Sequence, residues 1–419
     1  MIACAESTPP IPSAPPPPAT AEAPPAPLPA IDPGAAPTPP AQQTKQTFPA
    51  STPGNELTLR MLQALRGEKG NHFLSGASLR GALGMATLGA RGTTLDELAK
   101  SLSVDPDPAK NAAAAKREAL AWKSGAGKAE LAIANRLWVE KAFPLDKAFL
   151  TQASDGYGAS AENVDFSRSP DPSRQKINKW VSDSTKGKIP ELLPAGSVDP
   201  LTRLVLTNAI YFKGSWVEAF KKDDTKDEAF QAPAGSVNVP TMHRTGTMSY
   251  AVNDEVALVQ LPYKDSDLAL LVALPRKAEQ LAEIESEVSG GEVDAWAKSL
   301  APVKVALSFP KFTFSWGRSV KKELSDLGIK AAFSNGADFT GLSAKAGKEL
   351  MIADVFHKTF VLVDEAGTEA AAATGGVMSV MSAMPQQTIM KIDHPFLFFI
   401  RNTKTGELLF AGRVVNPRS

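Results

Sequence analysis

The 419-residue chain is expected to fold as an α+β protein with one large domain. Three observations predict this. Apolar runs of strand length and helical repeats follow one another without regular βαβ alternation. One run, Leu204-Val-Leu-Thr-Asn-Ala-Ile-Tyr-Phe212, is almost continuously apolar, which suits a strand covered on both faces. With 43% hydrophobic residues, the chain can also bury a core large enough to enclose such a strand.

The first fifty or so residues are a different regime. Residues 8–53 are Pro and Ala with scattered Thr, Ser and Gln, and hold about half of the chain's 34 prolines. Such a segment buries too little apolar surface to order itself and is expected to be an extended tether. Ahead of it stands Met1-Ile2-Ala3-Cys4, which looks like the end of a bacterial lipoprotein signal peptide without its charged and apolar regions. Either the true start lies upstream and an acylated Cys4 tethers the protein to a membrane at the cell surface, or Cys4 is incidental. The domain proper is expected over residues 54–419.

Within it, Leu57, Met61, Leu62 and Leu65 recur at helical spacing, so residues 56–65 read as an amphipathic helix. Residues 80–89 read as a helix whose small residues imply close packing. Thr94 and Glu97 match a capping box that starts a third helix. Residues 112–122, rich in Ala, read as an exposed helix with a solvated basic face. Residues 131–139 alternate as a strand and 177–184 form a short helix. After the 204–212 run, strands are expected at 256–261, 268–274 and 303–309, a helix at 319–327, and strands at 358–363, 396–400 and 408–414.

Residues 363–385 fit neither a helix nor a strand cleanly. Ala370 to Ala373 have good helix propensity but no apolar stripe, and Thr374, Gly375 and Gly376 break it. A structureless insert this long in a compact domain is usually functional or disordered. Its small residues add a third reading, a segment kept slim because it must later fit somewhere tight.

Charge and motifs exclude several function classes. Acidic and basic residues balance at 45 each, without a long basic run, so nucleic-acid or anionic-membrane binding has no electrostatic support. No apolar run reaches membrane-spanning length. A single cysteine excludes an internal disulfide and a Cys-based metal cluster. There is no Gly-x-Ser-x-Gly elbow, phosphate-binding loop or dinucleotide fingerprint. His72, His243, His357 and His394 lie far apart, without metal-ligand spacing, and His357 between Phe356 and Phe360 reads as a buried histidine satisfied by polar neighbours. No enzyme, cofactor or metal is expected.

Several stretches carry a resemblance. They are Asn208-Ala-Ile-Tyr-Phe-Lys-Gly-Ser-Trp216, Leu261-Pro-Tyr-Lys264, Phe309-Pro-Lys-Phe312, Val355-Phe-His-Lys-Thr-Phe360, Asp364-Glu-Ala-Gly-Thr-Glu-Ala-Ala-Ala-Ala-Thr374, His394-Pro-Phe and Phe410-Ala-Gly-Arg-Val-Val-Asn-Pro417. Together, and in this order, they resemble the serpin family of serine protease inhibitors from about residue 55 to 417. The resemblance implies three β-sheets, about nine helices and an exposed reactive-centre loop at about 365–390.

It further implies a suicide inhibitor. A protease attacks the loop and forms an acyl-enzyme, and the loop's hinge then inserts as a new central strand that drags the protease along. Fifteen inserted residues would span roughly 50 Å at about 3.3 Å per residue. Glu365, Gly367, Thr368, Glu369, Ala370, Ala371, Ala372, Ala373 and Thr374 match the hinge. Thr368, Ala370, Ala372 and Thr374 share one alternating face, all small, where a charge or proline would oppose insertion. Family spacing puts the scissile bond at Met381–Ser382, with Met378, Ser379 and Val380 in the preceding subsites. Cleavage after Val380 or Met384 is the alternative, and an apolar loop without a bait role is the plainer reading of Met378, Met381 and Met384. An apolar Met there suits elastase-, chymotrypsin- or subtilisin-like serine proteases rather than trypsin-like ones.

Ser78, Asn208 and His357 match the family's polar cluster beneath the point where the sheet opens, and Trp216 the aromatic near the hinge. For each, core packing is an equal reading. Two positions depart from the pattern. The usual Ser-Pro-x-Ser is Ser75-Gly-Ala-Ser78, which is expected to loosen the turn, and Ala366 stands where a charged residue is common. The alternative class is a non-inhibitory member acting as carrier, chaperone or plain substrate. A monomer is expected.

Overall fold

The chain alternates between short helices and strands that pair across long sequence distances. The computed structural model describes residues 52–158, 160–368 and 388–419. Cys4, the Pro/Ala-rich stretch, Glu369 to Thr374 and Met378 to Ser382 lie outside these residues.

Nine α-helices are present among the described residues: α1 (Pro53–Ala64), α2 (Gly76–Gly89), α3 (Gly92–Leu102), α4 (Pro108–Ala126), α5 (Lys147–Tyr157), α6 (Pro170–Ser184), α7 (Leu281–Glu287), α8 (Gly290–Ser299) and α9 (Lys321–Asp326). The strands are β1 (His72–Leu74), β2 (Glu130–Glu140), β3 (Ser160–Val164), β4 (Leu204–Ser215), β5 (Lys226–Ala232), β6 (Gly235–Val252), β7 (Val256–Pro262) and β8 (Leu268–Pro275). They continue with β9 (Ala301–Pro310), β10 (Phe312–Ser319), β11 (Ile352–Val363), β12 (Gly367–Thr368), β13 (Thr388–Lys391), β14 (Phe396–Asn402) and β15 (Leu408–Val414).

One sheet has the order β10-β11-β4-β2-β3, with the two-residue β12 paired to the end of β4. The other strands form a nine-stranded assembly in the order β1-β15-β14-β8-β7-β6-β9-β13, with β5 on β6. The 18-residue β6 explains why two sheets join here. It pairs first with β5, then with β9 over Thr241 to Tyr250, and only at its end with β7.

The apolar run at 204–212 is covered on both faces. Leu204, Leu206, Ile210 and Phe212 enter the main core. Val205 and Ala209 face a second core, with Trp138, Phe166 and Val181, beneath α6. A buried side chain of this kind contributes about 1.5–3 kcal/mol. Helix α2, buried along nearly its whole length, touches β4 and β2 of one sheet and β15 of the other.

Several local readings change. The capping box expected from Thr94 and Glu97 does not form. Helix α3 has Arg91 at its N-cap and no side-chain cap bond. Thr94 Oγ1 instead accepts from Asp338 N at 2.9 Å, and Glu97 Oε2 accepts from Lys330 and Ala331 N at 2.7 and 2.6 Å. Tertiary donors outcompete the local ones. Helix α6 begins at Pro170, seven residues before the expected start, because Pro at the first helical position needs no partner for its nitrogen. Its early residues carry no apolar repeat.

The turn at Ser75-Gly-Ala-Ser78 is held by a cap and by close packing. Ser75 Oγ caps α2 by accepting from Ser78 N at 3.1 Å. Gly76 lets α1 lie directly against this turn, since a Cβ there would fall 2.3 Å from Thr58 N and 2.4 Å from Thr58 Cα. Both neighbours are backbone and cannot step aside. Gly76→Ala is therefore expected to destabilise by about 1–3 kcal/mol through overpacking. Gly81→Ala, whose nearest neighbour would be Asn135 Nδ2 at 3.5 Å, should be neutral or stabilising. Thermal melts of the two variants side by side check this.

Candidate functional site

The site is a seam between two parallel strands and the turn above it. Strands β4 and β11 pair from Leu204↔Ile352 to Tyr211↔Phe360, and there the ladder stops. Beyond that point each strand stays paired on its outer side, β4 with β2 up to Lys213 and β11 with β10 up to Val363. The upper ends of the central pair are thus held to their flanks and not to each other.

The chain reverses there. Asp364 Oδ1 accepts from Ala366 N at 2.9 Å and Gly367 N at 3.2 Å, and Asp364 N donates to Gly367 O at 2.9 Å. The reversal sends β12 back antiparallel to β4, with Gly367 opposite Ser215 and Thr368 opposite Gly214. Glycine is required on both sides of this contact. Gly367 has φ +150°, and a Cβ on it would lie 2.1 Å from Gly214 O. A Cβ on Gly214 would lie 2.7 Å from the Tyr263 ring.

The turn is anchored by its surroundings. Trp216 donates from its backbone to Ala366 O and from Nε1 to Asp364 O, each at 3.0 Å. Its ring stacks on Tyr263 at 4.8 Å. The Tyr263 hydroxyl bonds Thr368 Oγ1 at 2.8 Å, and burial pushes that phenol far above its ordinary pKa. Glu365 is buried and accepts from Lys311 Nζ at 2.7 and 3.0 Å and from Thr225 Oγ1 at 2.7 Å. Burial pushes its carboxyl up, but the Lys311 and Thr225 hydrogen bonds outweigh this and hold it below the ordinary value. Ala366 is buried too, which accounts for the absence of a charge there.

Lower on the seam, Ser78, Asn208 and His357 come together. Asn208 and His357 lie opposite each other on β4 and β11. Asn208 Nδ2 donates to Ser78 Oγ at 2.6 Å on α2, and also to Asn135 Oδ1 on β2. His357 Nε2 accepts from Ser75 N at 3.0 Å, just ahead of α2. The start of α2 therefore grips both central strands. Satisfaction is incomplete, since Asn208 Oδ1 and His357 Nδ1 are buried without a hydrogen-bond partner that meets normal geometry. Burial drives the His357 pKa down to about 3, opposed by the Asn208 backbone.

Thr368 and Trp216 thus sit at the top of the seam and the three polar residues below it. Sequence reasoning missed Asn135, Thr225, Tyr263 and Lys311, and placed Ser75 only in the turn that lacks its usual proline. Tyr263 and Lys311 stand inside the motifs Leu261-Pro-Tyr-Lys264 and Phe309-Pro-Lys-Phe312. Thr225 carried no signal.

A family model described as serpin (serine protease inhibitor) matches residues 53–417. The chain belongs to the serpin family. The serpin match extends to individual relatives. A serpin-like protein of Thermococcus kodakarensis is 38% identical over 367 residues, covering 87% of this chain and 85% of that one. The leukocyte elastase inhibitor of Sus scrofa is 38% identical over 357 residues, covering 83% and 93%. The crystal structure of Serpin48, a highly specific serpin of the insect Tenebrio molitor, superposes with a TM-score of 0.77 at 32% identity, covering 87% of this chain and 97% of that one.

Burial of His357 makes the stability of the seam depend on pH. Unfolded, His357 takes up a proton near its ordinary 6.5, while in the folded chain it does so only near 3. Between those values the unfolded state binds more protons, so stability falls as pH is lowered through that window. His357→Gln, which can still accept from Ser75 N, should start less stable yet lose less between pH 7 and 5. Thermal melts across that range read the difference.

Proposed function

We propose that this serpin is a covalent-trapping inhibitor of serine endopeptidases, cleaved at Met381–Ser382 and acting through insertion of its hinge between β4 and β11. The observation that carries this reading is the start of β12. Gly367 and Thr368 already pair with β4 where β4 and β11 part. Loop insertion in this family is a standing example of strand addition to a sheet. Continuing β12 downward would place Ala370, Ala372 and Thr374 on the Thr368 face, and all are small enough to enter a packed layer. In this role the Ser75, Ser78, Asn208 and His357 contacts are the ones that must break and re-form.

A Met before the cut favours elastase-, chymotrypsin- or subtilisin-like targets, and the elastase inhibitor among the relatives supports that choice. Acylation of Cys4, with the Pro/Ala-rich segment as a stalk at the cell surface, completes the proposal. Mass spectrometry of the native protein reads it directly, and an unmodified Cys4 would remove it.

Mixing the protein with elastase, chymotrypsin and subtilisin should give a denaturation-resistant covalent complex. Cleavage without complex, and no rise in thermal stability of the cleaved form, would favour a non-inhibitory carrier, chaperone or plain substrate instead. Thr368→Arg should abolish trapping and leave cleavage intact, because the Thr368 side chain is buried against Tyr263 and a guanidinium has no place there. Met381→Arg should redirect the protein toward trypsin-like enzymes. Ratios of complex to cleaved product on denaturing gels score both variants.

A further inference from the structure

Asn335-Gly336 is the one Asn-Gly pair in the chain. The backbone nitrogen that follows an asparagine can attack the side-chain carbonyl carbon, and glycine leaves that nitrogen without a Cβ to crowd the approach. In a helix or a sheet ladder the nitrogen is held away by its hydrogen bond. Neither restraint applies here. Ser334, Asn335 and Gly336 are all exposed, in a turn after the short 3-10 helix Ala331–Phe333. The Asn335 amide has no hydrogen-bond partner among the described residues. Gly336 N donates to Ser334 Oγ at 3.2 Å, and among the described residues it reaches no carbonyl. The asparagines that precede alanine, Asn111 and Asn208, are by contrast buried in α4 and β4.

The turn is pinned at both ends to one helix. Before it, Lys330 N and Ala331 N donate to Glu97 Oε2 of α3 at 2.7 and 2.6 Å. After it, Asp338 N donates to Thr94 Oγ1 at 2.9 Å, and Arg91 N at the N-cap of α3 donates to Asp338 O at 2.9 Å. Within it, Ala337 N donates to Ser334 O at 3.1 Å. A change of main-chain length between Ala331 and Asp338 must therefore be absorbed in the turn itself.

We infer that Asn335 is a self-modification site, converted through a cyclic imide to isoaspartate, and that the conversion loosens the hold of residues 330–338 on the start of α3. Gly336 N forms a bond to Asn335 Cγ, the Cγ–Nδ2 bond breaks, and Nδ2 leaves as ammonia with the proton that Gly336 N gives up. Water then adds to one of the two ring carbonyls, the C–N bond there opens, and a proton returns to the nitrogen. Opening at Cγ gives aspartate. Opening at the main-chain carbonyl gives isoaspartate, whose main chain runs through Cβ and Cγ and is longer by one methylene. The sequence of steps consumes only water and is independent of protease trapping.

Full-length protein, kept without protease in neutral and in mildly alkaline buffer, tests this by ammonia release, peptide mass spectrometry and enzymatic methylation of isoaspartate. Isoaspartate should appear at 335 ahead of every other asparagine, and faster in alkaline buffer because the nitrogen must shed its proton. Gly336→Ala should slow the conversion about tenfold or more, a barrier difference of about 1.4 kcal/mol. A Cβ there meets nothing nearer than Ser334 Oγ at 3.6 Å, and the position lies outside the left-handed region, so this variant should melt like the wild type. Protein carrying isoaspartate should melt lower by on the order of 2 °C, the effect of losing one hydrogen bond in a large domain. Asn335→Asp, with the same charge on a normal main chain, should melt like the wild type. No isoaspartate at 335, or equal conversion in Gly336→Ala, would overturn the modification site. An unchanged melt of the isoaspartate form, or an equal fall in Asn335→Asp, would overturn the hold on α3.

Discussion

The parallel pairing of β4 with β11 is the constraint around which the rest of the molecule is arranged. Two central strands of a sheet are normally joined along their full overlap, since unpaired backbone groups in a packed layer are costly. Here the ladder ends at Tyr211 and Phe360 although both strands continue. What makes the early end tolerable is that other partners take over. Gly214 and Ser215 pair with β12, and the Trp216 backbone and indole reach the turn that precedes it. The top of the seam is occupied by the start of another strand, held in place by contacts from three directions.

Below that point the seam is closed by groups that fit less completely. Ser75 and Ser78 at the start of α2 bond to one central strand each. Yet Asn208 Oδ1 is left buried without a partner, and such a group costs about 1–3 kcal/mol, while the His357 ring has the Asn208 backbone beside it. An all-apolar contact at the same place would close the sheet more firmly. Polar side chains permit exchange, because each has other donors or acceptors to turn to when the strands separate. The Glu365 clasp works in the opposite sense. With Lys311 and Thr225 both on one buried carboxylate, it fixes the turn and so determines where β12 starts.

Much of this was legible in sequence, and the rest failed for identifiable reasons. The run at 204–212 announced a doubly covered strand because every residue in it had to satisfy one face or the other. Closing strand β15 was read to the residue, since its boundaries coincide with its apolar run. Strand β6 was not read at all. It crosses two sheets, and its burial pattern changes along its length, so no single period describes it. Thr94 and Glu97 matched a local cap and were claimed by Asp338, Lys330 and Ala331, more than two hundred residues away. The hinge turn was legible as a motif, but Lys311 and Thr225 became its partners only through the fold.

Small residues are where sequence is most ambiguous, because smallness has two opposite causes. At Gly76, Gly214 and Gly367 a neighbouring backbone or ring occupies the space a side chain would need, and the residue is small because the site is full. At Ala115 and Ala119 of α4 the residues are small while the site beside them stays open. The distinction lies in the distance to the opposing element, which no local pattern encodes. An Ala-rich helix facing solvent and one roofing a cleft have the same sequence signature. What separates them here is the strand opposite, where Leu131 and Ile133 pack on the core yet stay partly exposed along the cleft.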